Sequence, residues 1–253
     1  MTKLIADKLS KTLDGLEILQ NISLEVETGS VTSIIGPSGC GKSTFLHLLS
    51  GLIPPDQGKV LIDGQDYTGK TGRMGYLQQK DCLFPWKTLM ANVILPLQIK
   101  KWPLAEARAK AMDYLSKFKL KGFENYYPSE LSGGMRQRAA LLRTYLYQSD
   151  ILLLDEPFAQ LDAISRKRMQ EWLLSMKEDL GLTIVMITHD IDEAVFLSDQ
   201  VVVFSPLPGR MVLTLRLHPP PQRKLSYIST PEFIESKSSI MEALYHEDFL
   251  TQI

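Results

Sequence analysis

The stretch Gly36-Pro37-Ser38-Gly39-Cys40-Gly41-Lys42-Ser43, followed by Thr44, fits the pattern G-x-x-x-x-G-K-[ST]. Its surroundings are those the pattern needs. Val31-Thr32-Ser33-Ile34-Ile35 precedes it and reads as a short strand. Phe45-Leu46-His47-Leu48-Leu49 follows and reads as a helix closed by Gly51 and Pro54-Pro55. Glycines let successive backbone N–H groups curl around phosphate oxygens, and the positive end of the next helix adds to the attraction. On this reading residues 36–44 cradle the phosphates of a nucleotide, and the loop alone does not separate kinases, GTPases and ATPases. Lys42 reaches the β- and γ-phosphates, and the Ser43 hydroxyl ligates Mg2+. Cys40 reads as a small loop filler rather than a nucleophile, since glycines and phosphate leave it no base partner.

Downstream, Ile151-Leu152-Leu153-Leu154 is a continuous apolar run, as expected for a strand covered on both faces. It ends in Asp155-Glu156-Pro157. A carboxylate at that end of a parallel strand sits at the ligand edge of an open α/β sheet. Asp155 there holds Mg2+ through its water shell, and Glu156 polarises a water for attack on the γ-phosphate.

The rest of the chain organises around these two units. Ile22-Ser23-Leu24-Glu25-Val26 alternates like a half-buried strand, and Thr28-Gly29-Ser30 is a turn. Val60-Leu61-Ile62 runs into a tight turn at Asp63-Gly64. From Leu104 to Lys121 helix formers dominate, with Ala105, Met112, Leu115 and Phe118 as a buried stripe. A second helix starts near Ser132 and runs through residues 136–148. Met169, Trp172, Leu173, Met176 and Leu180 mark an amphipathic helix ended by Gly181. Thr183-Ile184-Val185-Met186-Ile187 is another buried strand. Asp190-x-x-Glu193 reads as a capping box, and Val201-Val202-Val203-Phe204 as a final strand. Residues 218–223 (HPPPQR) read as an exposed linker. Arg166-Lys167-Arg168 and the lysines of 117–121 read as solvated helix faces.

Composition narrows the class. The chain has 253 residues, 44% of them hydrophobic, with 28 Lys+Arg against 29 Asp+Glu. That supports a sizeable core and argues against disorder. A net charge of −1 lacks the broad positive field of a nucleic-acid binder. Two cysteines, Cys40 and Cys82, make neither a disulfide framework nor a metal site, so a reducing, cytoplasmic compartment is expected. The N-terminal MTKLIADKLSK has no signal-peptide core, and no run reaches the ~18 apolar residues of a membrane span.

Leu131-Ser132-Gly133-Gly134-Met135-Arg136-Gln137 carries the most information. A Ser hydroxyl and two glycine N–H groups at a helix start can meet a phosphate. With the two earlier motifs, this segment resembles the signature of ATP-binding cassette (ABC) ATPases. The resemblance covers nearly the whole chain. It implies an α/β P-loop NTPase fold with a mainly parallel core sheet, an antiparallel β subdomain and an inserted helical subdomain. The ATPase domain would span 1–220, with the helical insertion at about 80–147, and 221–253 would be a short C-terminal extension.

The same resemblance assigns further residues. Ser132, Gly133 and Gly134 would close on ATP held by the other protomer of a head-to-tail homodimer. Gln79 would sense Mg2+, with Gln78 as the alternative. Asp162, after Leu161, would belong to the D-loop, where Gln160 replaces the usual small residue. His189 would be the switch histidine contacting the γ-phosphate, so that Lys42, Glu156 and His189 form the catalytic set. Leu13 stands where the family stacks an aromatic on adenine, which implies weaker base selectivity.

The segment Phe84-Pro85-Trp86-Lys87-Thr88 and the turn Pro206-Leu207-Pro208-Gly209-Arg210 resemble the importer group for nitrate, sulfonates and taurine. That implies a peripheral subunit on the inner face of the membrane, bound to permease subunits and served indirectly by an extracytoplasmic solute-binding protein. Trp86 could equally be local packing. No nucleic-acid partner is expected. The alternatives are a soluble ABC ATPase of DNA repair or translation and a small-molecule P-loop kinase. The first favours fused cassettes or a long coiled coil, and the second needs no LSGGM. An ATP-gated module with vestigial hydrolysis would not need the intact Lys42, Glu156 and His189.

Overall fold

The computed structural model describes residues 1–250 apart from Gln148 and Gln222, with side chains to residue 246. In chain order the elements are β1 (Thr2–Leu13), β2 (Leu16–Glu27), β3 (Val31–Ile35), α1 (Lys42–Ser50), β4 (Gln57–Ile62), β5 (Gln65–Asp66), β6 (Gly75–Leu77), α2 (Leu89–Val93), α3 (Leu95–Ile99), α4 (Leu104–Leu115), α5 (Gly133–Tyr145), β7 (Ile151–Asp155), α6 (Ala163–Leu180), β8 (Thr183–Ile187), α7 (Ile191–Leu197), β9 (Gln200–Phe204), β10 (Met211–Arg216) and α8 (Pro231–Leu250).

The apolar runs VTSII, ILLL and TIVMI fall in β3, β7 and β8, each buried along its length. They lie in a six-stranded sheet of order β10-β9-β3-β8-β7-β6, parallel except for β10 against β9. A second sheet, β2-β1-β4-β5, is antiparallel. Two apolar cores follow. One lies between the large sheet, the helices α2–α6 and α7. The other packs α1 between the two sheets, around Phe45 and Phe204.

Register explains why the site gathers where it does. Leu77 pairs with Leu154, Leu154 with Met186, and Ile187 with both Asp155 and Ile34. The strand ends are therefore level. The residues that follow β3, β6, β7 and β8 all leave the sheet at one edge, where open parallel sheets bind ligands.

Several expectations are corrected. The buried stripe of α4 is Ala107, Ala111 and Leu115, while Ala105 and Met112 face outward. The small residues set the helix phase because they allow close approach to the core. The helix also stops early. Lys119 adopts a left-handed conformation (φ 54°), with Leu120 N–H donating to Leu115 O at 2.8 Å and Lys119 N–H to Ser116 O at 3.0 Å. This is a Schellman stop without glycine, and it turns Phe118 and Leu120 into the core. The helix from Ser132 likewise ends at Tyr145, and Gln148 lies outside the described residues.

Glu193 does not complete a capping box. Asp190 caps α7 by accepting from Glu193 N–H, but the Glu193 carboxyl accepts from Thr188 instead. The 218–223 segment is not free throughout. Arg223 pairs with Asp199 and donates to Phe196 O at 3.2 Å. Nor is 166–168 a plain solvated face. Arg166 lies 3.6 Å from Asp190, and the Lys167 ammonium sits 3.2 Å from the centre of the Phe196 ring. Near the C-terminus, α8 packs on α7, β9 and β10 through Phe233 and Ile240. Residues 251–253 lie outside the described residues.

Candidate active site

The loop between β3 and α1 is shaped by what touches its glycines. A Cβ on Gly36 would lie 2.9 Å from both Cys40 Sγ and Phe204 O, and one on Gly41 would lie 2.8 Å from Leu19 Cδ2. Gly41 also holds φ 99°, a backbone conformation that side chains rarely adopt. It caps α1 without any side-chain hydrogen bond, and no acidic residue lies in the first turn. The N–H groups of that turn are left for an anion.

Lys42 is buried to 9% exposure, and its ammonium donates to Gly36 O and Pro37 O, each at 2.8 Å. It thus spans the loop from within. Cys40 is buried below it, and burial pushes its thiol above the ordinary range despite nearby Lys42. A protonated thiol in that setting is packing, not a nucleophile.

Asp155 ends β7 and is buried. Burial raises its carboxyl, against a hydrogen bond from Ser43, and the neighbouring Glu156 charge raises it further. The Tyr76 hydroxyl also donates to Asp155 Oδ2 at 3.4 Å. Ser43 and Asp155 together offer only hard oxygen donors, the set that suits Mg2+ shared with phosphates.

Glu156 comes next and stands in the left-handed region at φ 44°, held by its N–H to Ile187 O at 3.0 Å. A non-glycine residue in that region carries strain that surrounding structure must hold, and such positions cluster at functional sites. Its Oε2 accepts from Gln79 Nε2 at 2.9 Å and lies 3.4 Å from His189 Nδ1. Gln78 instead contacts Cys82 Sγ at 3.6 Å. The structure therefore brings Gln79, Glu156 and His189 together beside Lys42, Ser43 and Asp155.

Other expected residues lie apart from that group in their contacts. Ser132 is exposed and caps α5 through Met135 N–H at 3.3 Å. A Cβ on Gly133 would lie 3.7 Å from Leu161 Cδ2. Asp162 caps α6 by accepting from Ile164 and Ser165 N–H. The segments around Gly133 and Leu161 are thus neighbours. Leu13 is half-buried at the end of β1, and residues just beyond it in the hairpin, Ile18 and Leu19, press on Gly41.

The ABC transporter family matches residues 19–159. The aliphatic sulfonates import ATP-binding protein SsuB of Bacillus cereus is 40% identical over 207 residues, covering 82% of this chain and 81% of that protein. The chain belongs to the ABC transporter family. The taurine import ATP-binding protein TauB of Yersinia pestis bv. Antiqua (strain Antiqua) is 37% identical over 240 residues, 92% of this chain and 93% of that protein. Among solved structures, the dimeric post-hydrolysis state of the ATP-binding cassette MJ0796, bound to ADP and Pi, is similar. It shares 29% identity at a TM-score of 0.73 and covers 85% of this chain and 99% of that one. This ABC cassette is an ATPase.

Within the cassette, several organising residues carried no sequence signal. Tyr76 braces Asp155. Asn92 is fully buried and holds the 84–88 loop, accepting from Phe84 N–H at 2.7 Å and donating to the carbonyls of Phe84, Lys87 and Thr88. On that loop Trp86 is 70% exposed, with its ring centroid 5.2 Å from that of Phe84, so it packs locally on Phe84 and stays out of the core. Arg143 of α5 donates to Asp81 O and Cys82 O at 2.7 and 2.8 Å, and Arg136 lies 3.3 Å from Asp81. The signature helix is thereby tied to the segment carrying Gln79. Only a three-dimensional contact could have marked Asn92 or Arg143.

Proposed function

We propose that this cassette drives import of a small organic anion of the sulfonate or taurine class through membrane permease subunits. It works as a head-to-tail homodimer on the inner face of the cell membrane, with an extracytoplasmic binding protein delivering the solute. The ATPase domain is 1–220, carrying the helical insertion at about 80–147, and 221–253 is an extension of it. The Gln79–Glu156–His189 group beside the phosphate loop is the observation that supports the reading. The likeness to SsuB and TauB, import ATP-binding proteins for aliphatic sulfonates and taurine, supports the solute class. The permease docks against the surface that runs from exposed Trp86, through Phe84, to a groove of about 460 Å³ lined by Phe84 and by exposed Leu52 and Ile99. A permease contact gives these apolar groups a use that a soluble ABC ATPase or a kinase lacks.

In this mechanism residues 36–44 and Lys42 hold the ATP phosphates. Ser43 and Asp155, with Gln79 beside them, would hold Mg2+, which would neutralise phosphate charge. Glu156 orients and takes a proton from the attacking water, and His189 holds the γ-phosphoryl group. The other protomer supplies Ser132, Gly133 and Gly134 to the same phosphates, with Asp162 at the interface. Catalysis is positioning plus charge stabilisation. Replacing Glu156 by Gln keeps the shape and removes the base. Steady-state phosphate release falls by ~10²–10⁴-fold while ATP still binds. Unchanged phosphate release would remove Glu156 from the mechanism.

A further inference from the structure

His189 has a side chain 63% exposed, with Glu156 Oε2 lying 3.4 Å from its Nδ1. Few contacts hold such a side chain in place, so its position comes from its backbone. That backbone is fixed on both sides by one small network. Thr188 N–H donates to Ile34 O of β3 at 3.3 Å. The Thr188 hydroxyl accepts from Asp190 N–H at 3.1 Å and donates to Glu193 Oε2 at 3.1 Å. Glu193 N–H closes the ring on Asp190 Oδ1 at 3.1 Å. His189 lies between the two residues that this ring locks.

Glu193 is the unusual member. It is 6% exposed, and its Oε1 has no hydrogen-bond partner among the described residues. Such a group is costly to bury and needs a compensating role.

We propose that Glu193 is a positioning residue for hydrolysis, holding the His189 segment through the hydroxyl of Thr188. This rests on the reading of His189 as the switch residue.

The charges facing Glu193 bear on its state. Asp190 caps the same helix, and Asp192 sits in its first turn. Glu156 follows β7. Arg166 and Lys167 come from α6, and Lys237 of α8 lies 2.6 Å from Asp192. Burial first, then Asp190, pushes the Glu193 carboxyl up to about 8, with the Thr188 hydrogen bond and Arg166 opposing. Below that pH Glu193 is neutral. Above it, an ionised carboxylate with an orphan oxygen faces Asp190 and Glu156, and repulsion loosens the segment. The stability sign agrees. The protonated folded form is favoured most below the ordinary carboxylate pKa, and that contribution is lost as pH rises toward about 8.

The test is Mg-ATP hydrolysis by the purified full chain carrying Glu193→Ala, Glu193→Gln, Thr188→Val, the Ala/Val double change, or His189→Ala. Glu193→Ala and Thr188→Val each lower kcat at least tenfold with KM for ATP within twofold. The double variant is no worse than the poorer single one, because both changes break one link. Glu193→Gln keeps the acceptor and cannot ionise. It restores most of the kcat lost in Glu193→Ala and lacks the fall in kcat that the parent shows as pH passes about 8. An inactive His189→Ala beside Glu193→Ala and Thr188→Val within twofold of the parent overturns the inference and leaves the His189 reading standing. Parental kcat in His189→Ala overturns both. Where Glu193→Ala does not fold, an alkaline fall persisting in Glu193→Gln overturns the inference.

Discussion

Two helix starts in this molecule carry glycines, and they are built in opposite ways. At the start of α1 the loop closes on itself. Cβ atoms on Gly36 or Gly41 would collide with fixed neighbours, and Lys42 spans the loop from inside. No side chain caps the helix among the described residues. At the start of α5 the opposite holds. Ser132 caps its own helix, and a Cβ on Gly133 or Gly134 would meet nothing nearer than 3.7 Å among the described residues. The first is a finished pocket. The second is an open surface, fit to be met by another molecule. On the proposed mechanism, that contrast lets one chain hold ATP and leaves hydrolysis to a pair of chains.

Substitution at these glycines should separate the two roles. Gly41→Ala forces a side chain into a left-handed position against Leu19. We expect about 1–3 kcal/mol lost in thermal or denaturant unfolding, and no ATP binding detectable by equilibrium dialysis. ATP binding at parental affinity would show that the loop is not preformed. Gly134→Ala brings its Cβ only to ordinary contact with Arg138 at 3.7 Å, on a helix where alanine is favoured over glycine by roughly 0.5–1 kcal/mol. Unfolding and ATP binding should therefore stay near parental values while steady-state turnover drops at least tenfold. Parental turnover would erase the distinction between the two helix starts. The smallest effect belongs to the base. Leu13→Phe adds a ring worth about 0.5–1.5 kcal/mol in stacking, so ATP should bind several-fold tighter relative to GTP in competition. An unchanged ratio would place adenine elsewhere.

How far the sequence spoke depends on how local the cause was. The fully buried strands VTSII, ILLL and TIVMI were plain, because strands covered on both faces need unbroken apolar runs. The glycine loop and LSGGM were plain because each is contiguous. β1 was hidden by irregular pairing with β2 and a left-handed Lys8, which break its alternation. β6 is three residues long, too short for any period. The phase of α4 was misjudged because Met112 outranks Ala107 in hydrophobicity, yet close packing chose the smaller side chain. In the site, Glu156 was legible as a carboxylate, but its left-handed backbone was not, since no glycine marks it. The links from Tyr76 to Asp155 and from Arg143 to residues 81–82 join residues 79 and about 60 positions apart. No window of sequence contains them.

Two identical chains, each lending half of the nucleotide pocket, are what the proposed mechanism requires above all. Sedimentation velocity of Glu156→Gln at saturating Mg-ATP probes this requirement without a permease. The expected result is a dimer that forms with Mg-ATP, dissolves on nucleotide removal, and is lost when Gly134→Ala is added. A Glu156→Gln chain that binds Mg-ATP yet sediments as a monomer at every concentration would contradict it.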